Sequence, residues 1–188
     1  MRDGKATRQR LHREALRLFA EKGVAETTVR ELAQAACIAE GTLYRHYESK
    51  DALVWDLFST NYKAFAQRLT DGQKCHASFP AKMTAVVSIF CRFFDEQPLL
   101  FRFLMLAQHQ ALPLIENDEG NPVEVVQKML ADAMELGEIA ARPPGLAATL
   151  VLGLVLQPAV GVVYGRVKPP LSQYEDTITQ ACLSVLKD

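Results

Sequence analysis

The sequence predicts an all-α fold of about nine helices, three short ones within the first fifty residues and a larger helical bundle after them. Apolar residues recur at spacings of three and four along the 188-residue chain. No stretch alternates with the period of two that a half-buried strand requires. Gly, Pro and Ser, Thr or Asn interrupt the pattern at helix-length intervals, where stops and caps belong. Hydrophobic residues make up 49% of the chain and charged residues 23%, a balance that supports a sizeable core and excludes a disordered chain.

The helices follow in order. The first is expected from about Thr7 to Lys22, with Leu11, Ala15, Leu18 and Phe19 on one face and Gly23 as its stop. The second begins at Thr28, whose spacing to Glu31 makes a capping box, and buries Val29, Leu32, Ala33 and Ala36. A third short helix spans Ala39 to Tyr47. The fourth runs from Lys50 to about Asp71, with Ser49 as N-cap and Asp51 in the first turn, where its charge suits the helix dipole. Its apolar residues, Leu53 to Leu69, spread over more than one face, so it can touch two cores. Gly72 to Pro80 reads as a loop. Further helices are expected over Ala81–Glu96, Leu99–Leu112, Pro122–Gly137, Gly145–Val167 and Ser172–Leu186. Asn121-Pro122 with Glu124, and Ser172 with Glu175, look like N-terminal capping signals.

The net charge of −1 argues against nucleic acid until its distribution is considered. Residues 1–50 carry ten Lys/Arg against seven Asp/Glu, and the remainder eleven against fifteen, so the N-terminal part is the basic one. Cys37, Cys75, Cys91 and Cys182 are far apart, so a zinc site or disulfide framework is not expected. The N-terminus has no apolar core of a secretory signal, and a cytoplasmic location is the default expectation. Leu146–Tyr164 is uncharged for 19 residues, long enough to cross a bilayer. Gln157 and Pro158 at its centre favour a buried or interface helix, and no membrane association is expected.

On a helical wheel the third helix separates cleanly. Leu43 and Tyr47 point one way, with Ala39 near them; Gly41, Thr42 and Arg45 point the other, with Tyr44 at the flank. The second set offers a guanidinium, a hydroxyl and a close backbone approach, a combination suited to base edges and phosphates. Two short helices in this arrangement are those of a helix-turn-helix, in which the second enters the major groove.

The stretch "REALRLFAEKGVAETTVRELAQAACIAEGTLYRHYESKDAL", Arg13 to Leu53, resembles the DNA-binding domain of the tetracycline-repressor (TetR) family of bacterial transcription regulators. The resemblance rests on Phe19, Gly23, Thr28, Leu32, Ala33, Gly41-Thr42-Leu43-Tyr44, His46 and Lys50. It implies a helix-turn-helix DNA-binding domain over residues 1–50 and a C-terminal dimerisation and ligand-binding domain over residues 51–188. It further implies that Thr42, with Glu40, Gly41 and Arg45, lies against base edges, and that Thr28, Tyr44, His46 and Lys50 contact phosphates of a palindromic double-stranded operator. The sequence departs from the family pattern at Cys37, where the turn commonly has Gly, at Ala39, where Ser or Thr often caps the helix, and at Glu40, where a basic or polar residue is frequent.

For the larger half, Thr149, Gly153, Gln157, Gly161 and Gly165 form a ridge of mostly small residues at spacing four. Tyr174, Ile178, Ala181 and Val185 make a second stripe, and together they are expected to form a four-helix interface in a homodimer. Pro158 removes one hydrogen bond from the first of these helices. Trp55, Phe58, Tyr62, Phe90, Phe94, Phe103, Met105 and His109 are candidates to line a cavity for a small, largely apolar ligand. No catalytic constellation or metal-ligand spacing is visible, so neither enzyme, metal nor cofactor is expected. The function expected is a ligand-responsive homodimeric regulator, most simply a repressor, with a regulator lacking any small ligand as the alternative.

Overall fold

The fold is described from a computed structural model; it covers residues 2–111 and 120–187, with side chains over 4–105 and 120–187. Nine α-helices occur among the described residues: α1 (Arg2–Lys22), α2 (Val29–Ala35), α3 (Glu40–His46), α4 (Lys50–Lys74), α5 (Phe79–Glu96), α6 (Pro98–Ala111), α7 (Pro122–Glu135), α8 (Pro144–Val163) and α9 (Glu175–Val185). The chain divides into two compact units. α1, α2, α3, α4 as far as Asn61, and α6 from Leu99 build the first; the rest of α4, with α5, α7, α8 and α9, builds the second. The expected boundary at residue 50 coincides with the start of α4, whereas the units divide farther along that helix.

In the first unit Leu11, Ala15, Phe19, Leu32, Ala36, Leu43, Leu53 and Phe58 are all buried, and the Phe19 ring stacks on Phe103 at 5.9 Å. α2 and α3 have seven residues each, too few to persist on propensity alone. The ends of α2 are therefore closed by specific bonds. Thr28 Oγ accepts from the Glu31 N–H at 3.2 Å while Glu31 Oε2 accepts from the Thr28 N–H at 2.9 Å, completing the expected capping box. Glu31 also takes a bond from Lys22 Nζ at 2.5 Å. That bond, with those from Thr28, brings the Glu31 carboxyl down to about 2.

α2 ends in a Schellman turn: the N–H of Ile38 donates to Ala33 O at 2.9 Å and that of Cys37 to Gln34 O at 3.1 Å. Cys37 sits at φ +52, the left-handed region the sequence departure foretells. The same turn closes α7, and there the left-handed residue is Gly137 at φ +69.

In the second unit Phe65 lies between Phe90 and Phe93, at 4.8 and 4.5 Å between ring centroids. α7 begins as expected, with Asn121 Oδ1 accepting from the Val123 N–H at 2.9 Å, and the Tyr62 hydroxyl donates to the same oxygen at 3.2 Å. Two expectations are corrected. α4 runs past Asp71 to Lys74, shrinking the predicted loop, because Gly72 serves close packing: a Cβ there would come within 2.3 Å of Ile89 Cδ1. The capping box at Ser172 does not form. Leu171–Tyr174 make a 3₁₀ turn whose Leu171 and Ser172 N–H groups donate to the Asp95 carboxylate at 2.7 and 2.8 Å, and α9 starts only at Glu175. A carboxylate distant in sequence outcompetes the local hydroxyl.

α8 passes through Pro158 without ending and buries Ala147, Ala148, Val151, Val155 and Ala159. Its other face carries Leu146, Leu150, Gly153 and Gln157 into the open. It is the one helix among the described residues long and apolar enough to cross a membrane, with a mean hydropathy of 2.2.

A non-glycine residue in the left-handed region costs about 1–2 kcal/mol, partly offset in glycine by about 0.4–1 kcal/mol of extra unfolded-state freedom. Cys37→Gly is therefore expected to raise thermal stability by a few degrees in a melting experiment, with Cys37→Ala unchanged. A fall in Tm for the glycine variant would mean that the Cys37 side chain itself stabilises the turn.

Candidate nucleic-acid interface

α3 presents one face to its own unit and one to solvent. Leu43 is fully buried and Tyr47 only 7% exposed, whereas Tyr44 is 52% exposed and Glu40, Gly41 and Arg45 lie open. Space is clear around Gly41, where an added Cβ would meet nothing within 4 Å. Arg45 Nη2 donates to Thr42 Oγ1 at 3.1 Å, which aligns the guanidinium along the helix face. Ala39 makes no side-chain cap and, contrary to expectation, is exposed rather than tucked beside Leu43, because the chain enters α3 extended there.

Beside this face a concavity is lined by Thr7 and Arg10 from α1, Cys37 and Ile38 from the turn, and Thr42, Arg45 and His46 from α3. Arg10 is held in place by donating from Nε to Ala36 O at 2.6 Å, at the C-terminal end of α2, where a cation is favoured. The basic run of α1 is less uniform than its sequence suggests. Arg13 and Arg17 pair with Glu14 at 3.3 and 3.1 Å, Arg17 also pairs with Glu21 at 2.9 Å, and Arg8 pairs with Asp56 at 2.7 Å. Cationic groups gather on the α3 side through Arg10 and Arg45.

The residues implied to meet phosphates are differently placed. Tyr44 is exposed and His46 half-buried. The Thr28 hydroxyl is engaged in its capping box. Lys50 Nζ donates to Val24 O at 2.8 Å and Thr27 O at 3.0 Å, and approaches Ala25 O at 3.5 Å, so it clasps the turn between α1 and α2.

Behind α3 lies a polar cluster that sequence spacing does not reveal. The Tyr47 hydroxyl donates to Asp56 Oδ2 at 2.5 Å and accepts from Arg8 Nε at 2.9 Å, and His12 Nε2 contacts the same hydroxyl. Burial resists ionisation of Asp56, but the bonds from Tyr47 and Arg8 prevail and hold its carboxyl below its ordinary value. Burial, then the bond to Asp56, pushes the Tyr47 hydroxyl up to about 12. Burial, against the pull of Asp56 and with help from Arg8 and His46, pushes His12 down.

The candidate ligand residues are divided between the two units. Trp55, Phe58, Phe103 and Met105 belong to the first, where Trp55 stacks on Phe58 at 6.3 Å and Phe103 on Phe19; Tyr62, Phe90 and Phe94 belong to the second. Phe58, Tyr62, Phe90, Phe94 and Phe103 are each buried in the core of their own unit. His109 lies outside the residues whose side chains are described. The second unit has a separate polar cleft of about 760 Å³, lined among others by Gln67, Lys74, His76, Lys82 and Lys128, none of them a sequence candidate. Of the expected pairing residues, Thr149, Gly153, Gln157 and Gly165 are exposed, while Gly161, Tyr174, Ala181 and Val185 are half-buried. Ile178, only 5% exposed, is taken up by the chain's own core, because α9 turns it inward with Cys182 and Leu186.

A family model described as "Bacterial regulatory proteins, tetR family" matches residues 11–57, which span the end of α1 through the first turns of α4. The transcriptional regulator UidR of Escherichia coli (strain K12) is 22% identical over 163 residues, covering 86% of this chain and 82% of that protein. Residues 11–57 thus carry the likeness to the tetR family. That family comprises DNA-binding transcription regulators with an N-terminal helix-turn-helix, not enzymes. Its fold is also that of the fatty acid degradation regulator FadR from Bacillus halodurans, with a TM-score of 0.81 at 19% identity over 94% of each chain. FadR from Bacillus subtilis, solved in complex with stearoyl-CoA, gives a TM-score of 0.75 at 20% identity over 94% of this chain and 97% of that one. The tetR match ends at Leu57, so the helix-turn-helix and the start of α4 are matched as one piece.

Proposed function

We propose that this tetR-family regulator is a cytoplasmic homodimeric repressor that reads a palindromic operator with α3 and is released by a small, largely apolar ligand. One observation carries the reading: α3 buries Leu43, Tyr47 just after it is buried too, and Gly41 and Arg45 are left in the open with Thr42 half-exposed between them. In this proposal residues 1–50 form the DNA-binding domain, and residues 51–188 pair the subunits and respond to the ligand. Glu40, Gly41, Thr42 and Arg45 meet base edges; Thr28, Tyr44, His46 and Lys50 lie on the backbone side. The open face of α8 supports pairing, since a helix of this hydropathy loses about 25 cal/mol for each Å² of apolar surface left in water. α4 continues unbroken for 25 residues, so a ligand that shifts it changes the separation of two reading helices that must sit about 34–36 Å apart.

Selection from random duplexes with the full chain is expected to enrich a palindrome. Arg45→Ala relaxes specificity at the bases it meets, by about 1–3 kcal/mol per lost bidentate contact. Lys50→Ala weakens all sequences together and lowers Tm through the turn it clasps; a salt slope reduced by about one would assign it to a phosphate instead. No enriched palindrome would refute the reading.

Gly153 faces open space, so Gly153→Trp is expected to leave the subunit folded by circular dichroism but monomeric by sedimentation, with operator binding lost. A dimer that persists would remove α8 from the interface.

The same fold in a regulator crystallised with stearoyl-CoA makes that compound the first probe. It is expected to raise Tm and free the selected duplex. The burial of Phe58, Phe90 and Phe103 in their own cores favours the second reading, a regulator without a small ligand, for which no such compound would shift Tm.

A further inference from the structure

α3 is held by little. Among its own seven residues only Leu43 is buried, and its first turn has no side-chain cap. A helix fixed by one apolar contact and a turn can still rotate about its axis, and rotation would carry Thr42 and Arg45 away from any base edge they face. What opposes rotation lies just beyond its end, at Tyr47.

The Tyr47 ring fills an apolar place that phenylalanine would fill equally. Its hydroxyl, however, sits where three helices converge. It donates to Asp56 on α4 at 2.5 Å and accepts from Arg8 on α1 at 2.9 Å, while Arg8 Nη2 donates to the same Asp56 oxygen at 2.7 Å. Arg8 also lies over the Tyr47 ring, 5.7 Å from its centroid. His12, one turn along α1 from Arg8, reaches the hydroxyl and stands 3.3 Å from Asp56 Oδ2. Two bonds in different directions onto one oxygen fix the ring in its plane as well as in its pocket, and both involve charged partners, the stronger class.

We propose that Tyr47, Asp56 and Arg8 are positioning residues for the reading helix, keying the rotation of α3 to α1 and α4. This rests on the DNA-reading role of α3 proposed above. Asp56 stands on the helix that continues to Lys74, so a movement of α4 would pull on the Tyr47 hydroxyl directly. The coupling then passes through one hydrogen bond and not through a rearranged core.

The decisive variant is Tyr47→Phe in the full chain, which keeps the ring and removes the hydroxyl. Without DNA, hydrogen exchange over residues 40–47 is expected to accelerate several-fold while α5 and α9 keep wild-type protection. With DNA, discrimination between the palindrome selected by the wild type and a scrambled duplex falls about tenfold, the scale of one bond to a charged group, and the salt slope is unchanged. Asp56→Asn, which loses the charge that holds Arg8, moves both readouts in the same direction. Wild-type exchange in α3 together with wild-type discrimination in Tyr47→Phe would overturn the proposal. A wild type that enriches no sequence overturns the reading role itself, a failure distinct from a Tyr47→Phe variant that matches a wild type able to select.

Discussion

The burial of Leu43 and Tyr47 is the constraint on which the placement of α3 depends. A seven-residue helix gains too few internal bonds to repay its nucleation, so α3 exists because its inward side chains have a core to enter. Once those two are inside, the 3.6-residue period turns Gly41 and Arg45 outward and leaves Thr42 half-exposed between them. Exposure of this outer face is thus a consequence of packing, not of any preference of those residues for water.

The closures around α2 and α3 show how unevenly this stability is distributed. Thr28 and Glu31 satisfy each other locally, and Lys50 clasps the carbonyls of the preceding turn from the start of α4. At Cys37 and at Ala39, where the chain enters α3, it accepts by contrast a strained residue and an uncapped end. The polar cluster at Tyr47 compensates from the other end, with bonds to charged groups drawn from α1 and α4.

The second unit follows a different logic. Its core is largely aliphatic with an aromatic cluster inside it, where the Phe65 ring packs on both Phe90 and Phe93. α8 gives this unit a line of alanines and valines and keeps leucines on its opposite side, a pattern that within a single subunit leaves apolar surface in water.

Local signals were enough to read most of the helices, the Thr28 and Asn121 caps and the opposed faces of α3, because each depends on residues within one or two turns of each other, while the strain at Cys37 was legible only through the resemblance to a family that commonly has Gly there. What lay beyond the sequence was every feature joining distant positions. Asp95 capping Leu171 and Ser172, Gly72 fitted against Ile89, and the meeting of Arg8, Tyr47 and Asp56 span separations that periodicity does not encode. Charge count made the first fifty residues basic, whereas along α1 ion pairs with Glu14, Glu21 and Asp56 engage Arg8, Arg13 and Arg17 and leave Arg10 beside Arg45 of α3. Composition and period set which residues could face inward; only the packed chain decided which carboxylate each cation, hydroxyl and amide would meet, since that choice is made by distance in space.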